Sequence, residues 1–279
     1  MGLSCGREQA SLMAEVRAIT ASGLRMRPRA IPVLLLRGDQ LLYKTVKFKE
    51  PKYVGDPRIA VKIFNDKGAD EIALLDIEAT PDRRRPDFDL IEEIAGEAFM
   101  PMAYGGGIRD QEDIRTILSL GVEKVIVNTR AAEDPDFIRQ AAEVNGAQSI
   151  VVSIDAKKIL FGGYRVFTHG GRAKTKFDPV TLAVRAVEAG AGEILINSIE
   201  RDGTFSGYDI ELVRSVADAV EVPVIACGGA GSMDDLAKAV SEGHASAVAA
   251  GSFFVFQRPH RAVLITLPDD RALYEAFGL

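Results

Sequence analysis

Cysteine is scarce in this chain, and histidine nearly so. Only Cys5 and Cys227 occur, one near the start and the other at the end of a predicted strand. Two thiols so placed exclude a disulfide framework and fit a reducing, cytoplasmic setting. There is no C-x-x-C pair, and His169, His244 and His260 are scattered, so no metal site and no cofactor are expected. No apolar run reaches the length of a membrane span. The opening residues lack the basic and then apolar regions of a secretory leader, and position 6 is glycine where a myristoylation motif needs Ser or Thr. Positive charge is outnumbered, with 34 Lys and Arg against 40 Asp and Glu. That balance argues against nucleic acid or anionic membrane as partner.

What is abundant is strand-length apolar sequence alternating with amphipathic helical sequence. The strand-like runs are Ile31–Leu36, Glu71–Ile77, Met100–Tyr104, Lys124–Asn128, Ser149–Asp155, Glu193–Ser198, Pro223–Cys227 and Ala245–Gly251. Continuous apolar runs of this length suit strands buried on both faces, and strict alternation with helices implies a parallel sheet. Eight such units in 279 residues predict an α/β fold, a (β/α)8 TIM barrel occupying residues 25–279. Residues 1–24 fall outside the scheme as a dispensable extension, with Met26 as an alternative start. The far end is atypical: "RAVLITL" reads as strand, and the last helix is expected in "DDRALYEAF".

A constant offset of 122 superposes the second half on the first. Glu71 falls on Glu193, Asp76 on Ser198, Pro101 on Pro223, and Gly106 and Gly107 on Gly228 and Gly229. The barrel therefore reads as two repeated half-barrels. Glycine clusters follow the third and seventh strands, where backbone can approach an anion closely. Gly228, Gly229, Gly251 and Ser252 form one candidate phosphate site, and Gly107, Asn128 and Thr129 its twin. The plainer alternative is glycine serving tight turns. Two anion sites across one mouth imply a phosphorylated small molecule charged at both ends.

Asp155 ends the fifth strand, where barrel enzymes carry catalytic groups, and is the candidate acid/base. Asp76, Asn197, Ser198, Asp202 and Gly203 are candidate substrate contacts, Asp76 equally a loop-ordering residue. An insertion after strand one carries Lys44, Lys47, Lys49 and Lys52, read as an electrostatic lid over an anionic ligand, with Lys44 as a phosphate contact. A second insertion, after strand five, reads as a hairpin turning at Gly162–Gly163, with His169 a surface residue. At the opposite end, Arg29, Glu71, Lys124 and Glu193 place two cations and two anions on strand starts. Burial would force them to pair, as a plug or as a gate.

From Arg29 to about Phe256 these residues resemble the cyclase subunit of imidazole glycerol phosphate synthase. "LLDIEAT", "YGGGIRD", "VVSIDAK", "GAGEILINSIERDGTFSGYD", "ACGGAGS" and "AAGSFF" carry the likeness. The resemblance implies a glutaminase (HisH-like) partner on the barrel floor. It also implies ammonia passing a gate formed by Arg29, Glu71, Lys124 and Glu193 to reach a bis-phosphate ligand. It further implies two catalytic aspartates, of which only Asp155 is kept. Leucine, Leu35 or Leu36, stands at the end of strand one. "IPVLLL", "AFMPMAYGGGI" and "FVFQRPHRAVLI" resemble a divergent branch associated with acetamidino modification of bacterial surface sugars, in which a sugar amidotransferase is a further partner. The leading expectation is an ammonia-conducting synthase subunit for that chemistry. The alternatives are a working histidine-pathway cyclase, a non-catalytic scaffold and, more weakly, a sugar-phosphate isomerase.

Overall fold

The computed structural model describes residues 27–160 and 163–279. The expectations for residues 1–24, Cys5, Met26 and Gly162 lie outside them. Strand β1 (Arg29–Leu36) is followed by a hairpin, β2 (Leu42–Val46) and β3 (Lys49–Gly55), then by helix α1 (Pro57–Asp66). β4 (Ile72–Asp76), α2 (Phe88–Glu97), β5 (Met102–Gly105), α3 (Gln111–Ser119) and β6 (Lys124–Val127) follow. Two helices, α4 (Thr129–Glu133) and α5 (Pro135–Asn145), lead to β7 (Ile150–Lys158). β8 (Tyr164–Thr168) and β9 (Ala173–Lys174) extend β7 antiparallel. The second half continues with α6 (Pro179–Glu188), β10 (Glu193–Ser198), α7 (Ile210–Ala217), β11 (Val224–Cys227), α8 (Met233–Ser241) and β12 (Ala247–Ala250).

Strands β1, β4, β5, β6, β7, β10, β11 and β12 pair in parallel in that order, and β12 pairs back onto β1. The sheet is thus a closed (β/α)8 barrel, as the sequence pattern predicts. All eight expected strands are present. β7 runs on to Lys158 because it leaves the barrel to pair with β8.

Closure divides each strand into two faces. One set faces the axis: Ile31, Val33, Ala73, Ala103, Ile126, Val151, Leu195, Ile225, Ala247 and Ala249 form an inner apolar cluster. The alternate set, including Leu34, Leu74, Val125, Val152 and Ile196, packs outward on helix residues such as Phe64, Ile91, Ile94, Ile114 and Ile117. Each such fully buried side chain stabilises the fold by roughly 1.5–3 kcal/mol.

Helix starts are strongly specified. Asp56, Asp87, Asp110, Asp134, Asp178, Asp209, Ser232 and Asp269 each accept a backbone N–H of the turn they precede. This satisfies a donor that the helix would otherwise leave unpaired. The chain end departs from the regular pattern as expected. After the short helix α9 (Ser252–Val255), β13 (Phe256–Gln257) and β14 (Ala262–Val263) make a small hairpin, and α10 (Asp270–Phe277) closes the chain. Of "RAVLITL" only Ala262–Val263 is strand. Arg261 is in the turn before it, and Leu264–Leu267 runs along α9, with Leu264 N–H on the Val255 carbonyl and Thr266 N–H on that of Phe254.

The repeat is physical as well as textual. Gly106 packs on the Asp76 carbonyl and Gly228 on that of Ser198, 122 residues on. Arg109 N–H donates to Asp113 at 2.8 Å, and Gly231 N–H to Asp235 at 2.9 Å. Asp113 is fully buried and also holds Arg85, at 2.9 Å from Nε. Asp113→Ala should therefore destabilise by about 2–3 kcal/mol, and Asp235→Ala by about half that, in urea unfolding. Equal losses would show that the Arg85 contact contributes nothing.

Candidate functional site

The carboxyl ends of the strands surround one cavity of about 930 Å³, lined by ten Arg or Lys and five Asp or Glu side chains. A cationic mouth on a chain of net charge −6 concentrates anions where they are needed. Its size is that of a small-molecule site.

Lys44, Asp76, Gly107, Asn128, Thr129, Asp155, Asn197, Asp202, Gly203, Gly228, Gly229, Gly251 and Ser252 all line it. The two glycine loops lie at symmetric positions. Each shares the cavity wall with the start of the short helix after the next strand, α4 or α9, whose N-cap residue has matching backbone angles: Asn128 at φ −111°, ψ −75° and Gly251 at φ −100°, ψ −74°. Among the described α-helices only these two lack a side-chain cap. Both present their start to the cavity, an arrangement suited to anions.

Asp155 projects inward from β7. Asn197 Nδ2 donates to it at 3.2 Å and Asn128 Nδ2 at 3.4 Å. Burial pushes its carboxyl up to about 7, against the Asn197 hydrogen bond, and nearby Asp202 adds to the shift. A carboxyl so placed can exchange a proton near neutral pH. Asn197 keeps a buried side-chain oxygen with no partner. Asp202 is also held up by burial, opposed by Lys44 and by Thr45, whose hydroxyl donates to it at 3.0 Å.

Lys44 was expected in a lid and is instead inside the barrel. It is 5% exposed, its ammonium donates to the Val33 carbonyl, and it lies against Gly251. Among the described residues no carboxylate lies within ion-pair distance of it, and burial lowers its amine to about 8. The reason is register: Lys44 falls on the inward face of β2, which folds back over β1. Lys52 also departs from expectation. It donates to the Arg261 carbonyl at 2.6 Å and sits over Phe256, away from the cavity, whereas Lys47 and Lys49 line it.

Ser198 is buried and does not line the cavity, because alternation along β10 turns Asn197 in and Ser198 out. Asp76 lines it, but its carboxylate accepts the N–H groups of Glu78 and Ala79 and pairs with Arg84 at 3.2 Å. Its role there is to order the loop after β4. His169 is not a free surface residue. It is half-buried on the cavity wall, and its N–H donates to Thr129 Oγ1 at 3.1 Å.

At the floor the four charged residues close a ring. Arg29 binds Glu71 and, at 2.7 Å, Glu193; Lys124 binds Glu71 at 2.9 Å and Glu193 at 3.1 Å. The inner apolar cluster lies between this ring and the cavity.

The histidine biosynthesis protein family model matches residues 29–259. A Pseudomonas aeruginosa protein, named provisionally imidazole glycerol phosphate synthase subunit hisF2, is 54% identical over 248 residues, 89% of this chain and 98% of its own. A provisionally named HisF subunit of Leptospira interrogans is 47% identical over 253 residues, covering 89% and 99%. A Vibrio vulnificus protein, provisionally subunit hisF3, is 49% identical over 255 residues, covering 91% and 98%. The chain belongs to this family, as a HisF-like member.

In this HisF-like barrel the ambiguity over strand one resolves by facing. Leu35 packs with the inner cluster and lines the cavity, while Leu36 is buried against the helices. The carboxyl-terminal end of β1 thus presents hydrocarbon to the site. Arg83, Arg109, Arg172, Leu75 and Phe48 also line the cavity and were not singled out from sequence. The run Arg83-Arg84-Arg85 was a visible signal. Its members part ways, Arg84 to Asp76, Arg85 to Asp113, and Arg83 to the cavity wall.

Two outcomes follow. Lys124→Met leaves Glu71 and Glu193 facing each other with only Arg29 between them. Stability in urea unfolding should fall by about 2–4 kcal/mol, because two buried carboxylates then share one cation. A loss under about 1 kcal/mol, the scale of an exposed pair, would show that the ring is not electrostatically closed. For Asp155, the folded form holds its proton to about pH 7 while the unfolded form releases it near pH 4. Its contribution therefore declines as pH rises from about 4 to 7 and stays unfavourable above. Asp155→Asn should gain about 1–3 kcal/mol over wild type at pH 8, and little at pH 4.

Proposed function

We propose that this chain is the barrel subunit of a glutamine-dependent synthase. It accepts ammonia from a glutaminase partner at its floor, passes it through the ring, and serves acetamidino modification of a surface-polysaccharide sugar in the cytoplasm. The observation that carries the reading is a contrast. The ring of Arg29, Glu71, Lys124 and Glu193 is complete, yet Leu35 occupies the place at the end of β1 where a cyclase needs its first acid.

Neutral ammonia suits the path between ring and cavity, where Ala73, Ala103, Ala247 and Ala249 leave small side chains among larger ones. Contacts of 2.7–3.1 Å close the ring, so transit needs a displacement such as Lys124 swinging aside. At the mouth, the twin glycine loops hold a phosphorylated ligand. Gly107, Asn128 and Thr129 form one end; Gly228, Gly229, Gly251 and Ser252 form the other. Lys44, Asn197, Asp202 and Gly203 are the remaining contacts. A sugar amidotransferase is the acceptor of the ammonia.

One observation favours a second reading, cyclisation in histidine biosynthesis: Asp155 is held near 7, where a general acid/base works well. Ammonia-dependent cyclisation of the family's bis-phosphate ribulosyl substrate, at high ammonium and without partner, separates the two. The expected result is no turnover, in wild type and Asp155→Asn alike. Turnover on the order of one per second, lost in Asp155→Asn, would make the chain a cyclase. A gain of at least about tenfold in Leu35→Asp would support the view that the missing acid limits the reaction.

A further inference from the structure

The two half-sites share a backbone plan but not a charge. At the first, Gly107 packs on the Arg84 carbonyl, and Arg109 reaches back to donate to the carbonyl of Arg83. The bond from His169 N–H to Thr129 Oγ1 brings the β8–β9 turn, with Arg172, to the same wall. Arg83, Arg109 and Arg172 line the cavity, and among the described residues none has a carboxylate within 4.0 Å. Arg84 and Arg130, also on the cavity wall, are already paired, with Asp76 and Asp134.

The second half supplies an internal control. At an offset of 122, Arg83 becomes Phe205 and Arg109 becomes Gly231. The guanidinium groups in that neighbourhood are engaged elsewhere. Arg201 donates to the Ser206 carbonyl at 2.9 Å, Arg261 to that of Gly203 at 2.6 Å, and Arg258 to that of Gly231 at 2.5 Å. Arg258 and Arg261 also stack on Phe205, and none of the three lines the cavity. The second half-site draws its cavity cations from β2 and its turn, Lys44 and Lys47, which are point charges. The first offers planar forks, two of them (Arg83 and Arg172) with no side-chain hydrogen bond among the described residues and each able to grip two oxygens. A single phosphate presents three terminal oxygens, so two free forks, Arg83 and Arg172, beside one glycine loop already exceed its needs, and Arg109 is held next to them by the Arg83 carbonyl.

We propose that the ligand is asymmetric, a diphosphate ester whose diphosphate lies at the first half-site against Arg83, Arg109 and Arg172. A single phosphate or other small anion fills the second. The inference rests on the reading of the twin loops as phosphate sites and names the ligand class that they select.

Calorimetric titration of the intact chain with inorganic phosphate, inorganic pyrophosphate and citrate, at fixed ionic strength, tests it. Pyrophosphate should bind at least about tenfold tighter than phosphate, and citrate, a trianion without phosphoryl oxygens, no better than phosphate. Replacing Arg83 and Arg109 by the residues of the second half, Arg83→Phe with Arg109→Gly, should remove most of that preference while phosphate affinity changes less than about threefold. Because that pair alters packing, Arg83→Gln and Arg172→Gln singly should each reduce the preference with unchanged melting temperature. Arg115→Gln, an exposed arginine on α3, should leave both affinities as they are. Equal affinities, a citrate that matches pyrophosphate, or a preference that survives these variants overturns the diphosphate and leaves the phosphate loops standing. Absence of binding by any of the three anions overturns both.

Discussion

Closing a parallel sheet on itself fixes which side chains face the axis, and the rest of this molecule depends on that alternation. β1 sends Arg29, Ile31, Val33 and Leu35 inward, in ascending order from floor to mouth. Its neighbours do likewise: Glu71, Ala73 and Leu75; Val151, Ser153 and Asp155; Glu193, Leu195 and Asn197. Charge at the base, hydrocarbon in the middle and polar groups at the top therefore arise from one geometric rule repeated around the barrel. A shift of one residue on any strand would send its charged base into the helices and its outer apolar set into the cavity.

That layering decides what each ionisable group can be. At the floor, burial is tolerable because two cations and two anions meet in one ring. At the mouth, the groups do not balance so simply. Among the described residues Asp155 has amide donors alone, and Lys44 a backbone carbonyl alone. Each consequently shifts toward its neutral form, the carboxyl upward and the amine downward. Cys227 beside them is pushed up to about 12 by the same burial and is a packing residue, not a nucleophile. The inner end of the cavity is thus built from groups that carry less charge than their formulae suggest, while the free arginines stand at its rim.

Strand positions, the half-barrel repeat, the glycine loops and the ring were legible in the sequence because each leaves a periodic or symmetric trace. Glu193 and Glu71 sit one offset apart, and so do Gly229 and Gly107. The fate of individual long side chains was not legible. Lys44, Lys47, Lys49 and Lys52 look alike as a basic run, yet β2 buries the first, the turn and the start of β3 present Lys47 and Lys49 to the cavity, and β3 sends the last to Arg261. The triple arginine after β4 divides three ways for the same reason. Leu35 and Leu36 were indistinguishable until the register of β1 with β4, which sets Leu35 beside Leu75 and Leu36 beside Asp76, gave them opposite faces.

The β2–β3 hairpin shows how the mouth is held. Its two-residue turn is Lys47-Phe48, both left-handed, at φ 54° and 60°. Such turns favour Asn-Gly, and each bulky residue there is disfavoured by roughly 1–2 kcal/mol. Strain of this kind persists only where the surroundings over-determine it, and here Asp202 does so. Its carbonyl accepts Lys47 N–H at 2.9 Å, and its carboxylate accepts the Thr45 hydroxyl and the Phe48 N–H. Gly203 lies so close to the Thr45 carbonyl that a β-carbon would come within 2.1 Å of it. Phe48 in turn packs on Gly171 of the opposite insertion. One buried aspartate and two glycines thereby fasten the insertions of both halves across the same opening. The clasp also explains why Lys44 is driven into the barrel: with the turn pinned at Asp202, β2 has no room to lift its inward lysine away from Gly251.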